Sequence, residues 1–422
     1  MGRSLPSMNR WPRLLATFIA TACVGYLFVL YRVELEVNSI KVGQFVKRYA
    51  LSFRGNMSYS EYVYQTKPPC EPIHQLVFVK THKTASTTTN TLIQRYGMKH
   101  NLSFAIPQGN QMFSETRLYS RSMLFRQSPP PGSANYFNLL ANHMRFNRRE
   151  LDKTVPNATY ITILRHPITK FESTFGYYNF AHSLRLERYP NPLEFFMRTP
   201  EQLLRSGHNA MKNQLRNGMM FTLGFDHRFD DNEAVINKTI ERLDKELDLV
   251  LLTEYYDESL LLLKELMCWE VEDILYIPKG YRSQNRRYAM SDKLAQKILK
   301  WNRADQRLYD HFNRTFWRKV EEYGPNFGSD LDEFRRIQKQ FYDHCVDANT
   351  TTVRKNREDA LVMKKNSSED CELSFFRVSN FHYKFKGQAK VAEQKTKQKT
   401  TPPRKTTQRR IPGKSHPRPS RH

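Results

Sequence analysis

From Gln75 onward the chain alternates short apolar runs with longer stretches of helical period. "QLVFV" (Gln75–Val79), "LSFAI" (Leu102–Ile106), "YFNLLANH" (Tyr136–His143), "TYITILR" (Thr159–Arg165) and "LDLVLLTE" (Leu247–Glu254) are short and rich in aliphatic and aromatic side chains, which predicts buried strands. Apolar positions recur every three to four residues over Ser86–Tyr96, Pro167–Tyr178, Glu233–Glu246 and Glu258–Trp269, and from Ser291 to about Cys345. These predict helices. Strands that alternate with helices imply an α/β fold, with a central parallel sheet flanked by helices. No internal repeat is visible.

The ends of the chain differ from this middle. Leu14–Tyr31 is a stretch of 18 residues without a charge, roughly 27 Å long as a helix and long enough to span a bilayer. Arg3, Arg10 and Arg13 precede it and Arg32 follows. That asymmetry predicts an N-terminal transmembrane anchor with a cytoplasmic N-terminus. A cleaved signal peptide is the alternative, but the run is longer than such a segment and leads into Tyr31-Arg-Val-Glu-Leu-Glu, a poor cleavage site. The expected organisation is a cytoplasmic tail (1–13), anchor (14–31), polar stem (32–72), lumenal domain (73–383) and basic tail (384–422).

Of the net charge of +25, the stretch from Lys384 to Arg421 carries +12, with 13 Lys/Arg against Glu393 alone. This Pro-containing tail with almost no aromatics reads as disordered and solvated, or as a docking segment for acidic glycans, lipids or a partner. An anchored chain argues against nucleic acid. Asn56, Asn101, Asn157, Asn237, Asn313, Asn349 and Asn366 each open an Asn-X-Ser/Thr sequon. Cys23 falls in the span. Cys70, Cys268, Cys345 and Cys371 allow up to two disulfides in three connectivities. Neither Cys-X-X-Cys nor His-Glu-X-X-His occurs, and no metal is expected.

"VFVKTHKTASTTTNTL" (Val77–Leu92) reads as strand, tight loop, helix, an arrangement that holds phosphates. It is not a Walker A loop. Thr84 and Ser86 are expected to cap the helix, Lys80 and Lys83 add charge, and Ala85 sits where the turn is tightest. A capped helix with two surface lysines is the plainer reading. "ITILRHPITKFESTF" puts Arg165 at a strand end, Pro167 at a helix start and Ser173 on that helix, placed to grip a second phosphate. Two such loops on neighbouring strands need a ligand with phosphate at both ends. The sulfate donor 3′-phosphoadenosine 5′-phosphosulfate (PAPS) is one.

"KTHKTASTT", "NHMRF", "ATYITILRHPITKFESTF" and "MCWEVEDILY" resemble the galactose 3-O-sulfotransferases, Golgi type II enzymes that include the galactosylceramide sulfotransferase. The resemblance covers roughly Ile73–Cys345. It implies a P-loop-like sulfotransferase fold, PAPS as donor, and a galactose-terminated glycan or glycolipid as acceptor, on the Golgi membrane with the catalytic domain lumenal. A homo-oligomer is left open. It also implies that Lys83, Thr84, Ala85, Ser86, Thr87 and Thr88 hold the 5′-phosphosulfate and that Arg165 and Ser173 hold the 3′-phosphate. Distant cytosolic sulfotransferases carry glycine where this chain has Ala85.

Sulfuryl transfer needs the leaving oxygen neutralised, the sulfuryl oxygens held and the acceptor hydroxyl deprotonated. Lys83 suits the first. The N–H groups of Thr84–Thr88, with the Ser86 and Thr87 hydroxyls, suit the second. His143, closing "YFNLLANH" 22 residues before Arg165, suits the third; a histidine bonded to its own loop is the alternative. His82 is the runner-up base, and Lys80 a phosphate or glycan contact. Gly176–Tyr189 and His208–Phe221 mix aromatics with amides and basic groups, as sugar sites do, though packing explains any single aromatic. Lys279–Arg287 is a candidate basic loop over the donor. The rival function is a Golgi glycosyltransferase. Its Asp-X-Asp metal pattern is matched by letter at Asp330–Asp332, where a helix start explains the residues better.

Overall fold

The computed structural model describes residues 70–109, 111–125, 136–206, 212–280, 287–353, 359–365 and 367–387. The expected anchor, nearly all of the stem and most of the basic tail lie outside these residues. Among the described residues no helix is long and apolar enough to cross a membrane. Of the sequon asparagines, Asn101, Asn157 and Asn237 are exposed and Asn313 is half-buried.

Four parallel strands form the central sheet: β1 (Leu76–Val79), β2 (Leu139–Leu140), β3 (Thr159–Leu164) and β4 (Leu249–Leu252), in the order β2-β1-β3-β4. Leu76, Val77, Phe78 and Val79 are all fully buried, as expected where both faces of a parallel sheet are covered. Helix α1 (Ser86–Lys99) follows β1, and α2 (Pro167–Tyr177) follows β3 with proline in its first turn, where a missing N–H does no harm. Helix α3 (Glu233–Glu246) is capped by the Asn232 side chain and leads into β4. Helix α4 (Tyr256–Met267) leaves β4. The long helical stretch resolves into α5 (Asp292–Trp301), α6 (Arg303–Tyr323) and α7 (Phe327–Cys345). A second, smaller core gathers Phe171 and Phe175 of α2, Leu294, Ile298 and Trp301 of α5, and Phe180 and Phe196 between them.

Two expected strands are reduced. Leu102–Ile106 contributes only an isolated bridge, Phe104 to Leu139, and within Tyr136–His143 only Leu139–Leu140 is strand. Side-chain bonding explains why. Asn138 Oδ1 accepts from both the Ser103 N–H (3.0 Å) and its hydroxyl (2.8 Å), displacing a regular ladder. An antiparallel hairpin unforeseen in the sequence, β5 (Val346–Val353) with β6 (Asp359–Met363), follows α7. The Cys345–Cys371 disulfide joins its base to α8 (Glu369–Phe375), and Cys70 and Cys268 are also disulfide-bonded. Asp330 lies in the first turn of α7 and accepts the Tyr323 hydroxyl at 2.7 Å; the N-cap is Asn326, so Asp330 bonds a neighbouring side chain where a cap was expected.

Candidate active site

The loop from Lys80 to Ser86 runs off the C-terminal end of β1, where open α/β sheets place ligands. Lys83 (φ 61°) and Ala85 (φ 60°) both take the left-handed conformation. For a non-glycine residue that costs roughly 1–2 kcal/mol, so the surroundings must enforce it. They do so from Thr81. Its hydroxyl donates to the Ile163 carbonyl of β3 and lies 2.7 Å from the Thr84 hydroxyl, while the Ser86 hydroxyl donates to the Thr81 carbonyl at 2.5 Å. The expected capping by Thr84 and Ser86 is therefore absent. The N-cap is Ala85, without a side-chain cap bond, because both hydroxyls turn back to Thr81. The uncapped first turn of α1 keeps N–H groups available to an anion.

The β3–α2 turn lies beside this loop. Arg165 donates from Nη1 to the Lys83 carbonyl (3.2 Å) and from Nε to Thr169 Oγ1 (3.0 Å), tying the two loops together. The Lys83 ammonium sits 3.5 Å from the centroid of the Tyr177 ring of α2, a cation–π contact.

Both loops open onto a cavity of about 410 Å³ whose lining includes Lys83, Thr84, Ala85, Ser86, Thr87, Thr88, His143, Arg165 and Ser173. The expected donor loop, the Arg165–Ser173 pair and His143 are thus brought to one place, whereas Lys80, expected as a phosphate or glycan contact, is not among the lining residues. Among the described residues, four Lys/Arg, Lys83, Arg165, Lys279 and Arg287, line it against one carboxylate, Glu172. Tyr177 and Tyr178, from a candidate acceptor stretch, line it too, and Thr253, Tyr256 and Tyr276 join them without having been assigned to it in the sequence. Tyr256 and Tyr276 meet edge to face at 4.9 Å. Tyr256 opens α4 and belongs to no motif, whereas Tyr276 closes "MCWEVEDILY", a stretch that carries the family resemblance but assigns it no place in the cavity. Lys279 and Arg287, the ends of the candidate basic loop, do reach the cavity; residues 281–286 lie outside the described ones. Lys279 also donates its N–H to Thr88 Oγ1 (3.0 Å) and its ammonium to the Phe376 carbonyl (2.9 Å).

His143 donates Nδ1–H to the Lys80 carbonyl at 3.0 Å. That bond leaves Nε2 as the lone-pair nitrogen. Burial, then the neighbouring His82 and Lys80, holds the pKa of His143 well below the usual imidazole range, so the ring is neutral. His82 lies parallel to it, with ring centroids 4.0 Å apart and planes 8° from parallel. Both nitrogens of His82 are engaged: Nδ1 with the Tyr178 hydroxyl (2.8 Å) and Nε2 with Glu115 Oε2 (3.2 Å). Lys80 is 3% exposed and does not line the cavity. It stands behind the loop, its pKa lowered to about 7 by burial and by Lys83 and partly restored by Glu115.

The two candidate acceptor stretches divide. From Gly176–Tyr189, Tyr177 and Tyr178 face the cavity, while Phe180 and Leu186 are core. The described part of His208–Phe221 is structural instead. Asn217 Oδ1 accepts from the Ala304 (3.0 Å) and Asp305 (3.2 Å) N–H groups at the start of α6, and its Nδ2 donates to Asp230 (2.8 Å). Asp305 in turn accepts from the Met219 and Met220 N–H groups (3.1 and 2.8 Å), and buried Lys170 donates to the Gln214 carbonyl (2.6 Å). In the described residues 212–221 these polar groups bond chiefly to one another and to backbone, Gln214 Oε1 being buried without a partner.

A family model described as galactose-3-O-sulfotransferase matches residues 28–365. Galactosylceramide sulfotransferase of Bos taurus is 39% identical over 282 residues, covering 66% of this chain and 65% of that protein. Galactose-3-O-sulfotransferase 3 of Homo sapiens is 39% identical over 265 residues, 61% of this chain and 59% of that one. Galactose-3-O-sulfotransferase 2 of Sus scrofa is 33% identical over 278 residues, 65% and 69% respectively. The chain thus spans just under two thirds of the length of the galactosylceramide sulfotransferase it matches.

Proposed function

The chain belongs to the galactose-3-O-sulfotransferase family, and from that premise we propose that it is an enzyme moving the sulfuryl group of PAPS to the 3-hydroxyl of a galactose residue on a glycolipid or glycoprotein glycan. The observation that carries this reading is the strand-end cavity. It collects the residues expected at the 5′ and the 3′ end of the donor, and among the described residues four cationic side chains against one carboxylate suit a polyanion. The strand–loop–helix geometry supports a P-loop-like sulfotransferase fold.

In this reading the N–H groups at the start of α1 and the Thr87 hydroxyl hold the sulfuryl oxygens, and Arg165 and Ser173 hold the 3′-phosphate. The Ser86 hydroxyl, donating to Thr81, is left with its oxygen only as an acceptor. Lys83 meets the electron pair left on the phosphate oxygen as its bond to sulfur breaks. His143 Nε2 takes the proton of the galactose hydroxyl as that oxygen bonds to sulfur. No metal enters these steps. Transfer of labelled sulfate from PAPS to a galactose-terminated acceptor, undiminished by EDTA, is the expected result. No transfer by folded protein to any β-galactoside would overturn the reading. The glycosyltransferase alternative finds no support at the cavity, its Asp330 being bonded to Tyr323.

The same proposal places the protein on the Golgi membrane as a single-pass type II chain with its catalytic domain lumenal. The uncharged Leu14–Tyr31 segment, the sequons and the Cys345–Cys371 disulfide support it. Membrane-bound protein carrying endoglycosidase-sensitive glycans is expected; a soluble, unglycosylated product of a secretory cell would refute it.

A further inference from the structure

The segment Gln111–Tyr119 belongs to no helix or strand, yet it is fastened along "NHMRF". The Phe113 N–H donates to the His143 carbonyl and the Tyr119 N–H to the Arg145 carbonyl, both at 2.8 Å. The Asn142 amide donates to the Gln111 carbonyl (2.8 Å), and Arg145 Nη1 to the Thr116 carbonyl (2.7 Å). Bonds therefore fall on both sides of Glu115. They deliver its carboxylate to His82, where Oε2 lies 3.2 Å from Nε2 and Oε1 is buried without a hydrogen-bond partner. An under-satisfied buried carboxylate oxygen is costly unless it serves a charge.

Deepening the sulfotransferase reading, on which it rests, we propose that Glu115 is a positioning residue of the reaction. It accepts His82 Nε2–H, sets His82 Nδ1 as acceptor of the Tyr178 hydroxyl, and so holds the ring on which His143 is stacked. Two consequences follow from the geometry. His82 has no nitrogen left for a substrate proton, which leaves that task to His143 Nε2. And when His143 becomes an imidazolium against His82, Glu115 supplies negative charge within the stack's reach. The other charges around His82 are cationic: Lys80 at the end of β1 and Lys170 on α2 both disfavour a protonated His82, and Glu115 opposes them. Lys83 adds to the cationic field at His143. On Glu115's own segment, Arg117 is exposed. The sequence offers no motif for Glu115, because its partner lies on a different loop.

The test compares Glu115→Gln and Glu115→Asp with the unaltered full-length protein. Glu115→Gln is expected to lower kcat about tenfold or more with donor KM within about twofold, the pattern of an interaction used after binding. Removing the carboxylate charge lowers the imidazole pKa values. The acid limb of the kcat–pH profile should therefore move about one unit to lower pH, and Glu115→Asp should recover part of both effects. Unchanged kcat and limb, or a raised donor KM with unchanged kcat, would overturn the proposal. Imidazole NMR gives a readout that needs no substrate. The His82 pKa should fall in Glu115→Gln, and no change there refutes the contact even if the sulfotransferase reading fails. A fall in pKa in a protein that transfers no sulfate would refute only the function.

Discussion

Two polar clusters draw on helix α2, built from the same kinds of residue and put to different uses. In one, Lys170, Asp305, Asn217 and Gln214 bond mostly to one another and to backbone, joining α2, the Gly218–Thr222 helix and α6. A Cβ on Gly218 would lie 2.4 Å from Lys170 Nζ, which shows how tightly that cluster is closed. In the other, Lys83, Arg165, Ser173 and His143 face a cavity. Composition does not separate the two clusters. A polar group whose partners are supplied within the chain stabilises the fold, whereas one aimed into a cavity has capacity left for a ligand.

The strongest test of that contrast is Asp305→Ala. It removes the buried acceptor of two backbone N–H groups and leaves Lys170 without its countercharge, so about 3–5 kcal/mol of stability should be lost. A thermal or urea unfolding curve reads this directly, and an unchanged midpoint would break the comparison. Lys83→Ala and His143→Ala should do the reverse: unfolding midpoints close to the parent's, with kcat down about 10²-fold or more. Both should still bind the product nucleotide. His82→Ala is the control. If it is dead while His143→Ala is active and folded, the proton acceptor is His82.

Arg165→Ala should raise donor KM roughly ten- to a hundredfold, the equivalent of about 1.5–3 kcal/mol for a charge-assisted contact. An unaltered donor KM in the folded variant would count against a 3′-phosphate grip there. A subtler expectation concerns pH. Burial lowers the pKa of Lys80 to about 7 and that of Lys170 to about 8. Between those values and the ordinary lysine range, the unfolded chain binds protons that the folded chain does not, so unfolding free energy should rise with pH. Lys80→Met should flatten that slope above about pH 7. Smallest of all, Ala85→Gly relieves a left-handed alanine but loosens the unfolded chain. A net stability change within about 1 kcal/mol is expected, with activity kept.

Much of the fold was legible because its periodic signals are strong. Glu233–Glu246 was expected and is observed, and Ser86 and Pro167 were correctly expected as helix starts. The edge of the sheet was not legible, because Ser103 and Asn138 use side-chain bonds that leave no period in the sequence. The hairpin escaped because "VDANTTTV" lacks apolar alternation. The stretches that carry the donor candidates were legible because each is contiguous in the chain, Lys83–Thr88 after β1 and Arg165–Ser173 after β3. Tyr256, Tyr276 and Glu115 were not, since only the folded chain brings them near that loop. Within 212–221 the reason is the converse: Asn217, whose amide accepts the first N–H groups of α6, has the composition of an amide that holds a sugar.

The bond from Arg165 to the Lys83 carbonyl makes a single cradle of two loops. On the proposed reading, a cradle shaped for the nucleotide's two ends grips spent nucleotide almost as well as charged donor, since departure of the sulfuryl group changes neither the 3′-phosphate nor the adenosine. Such uniform binding does not speed the chemical step. Turnover would then be governed by how fast the spent nucleotide escapes, and the enzyme would slow as that nucleotide accumulates, tying its output to whatever reaction clears the nucleotide from the same compartment.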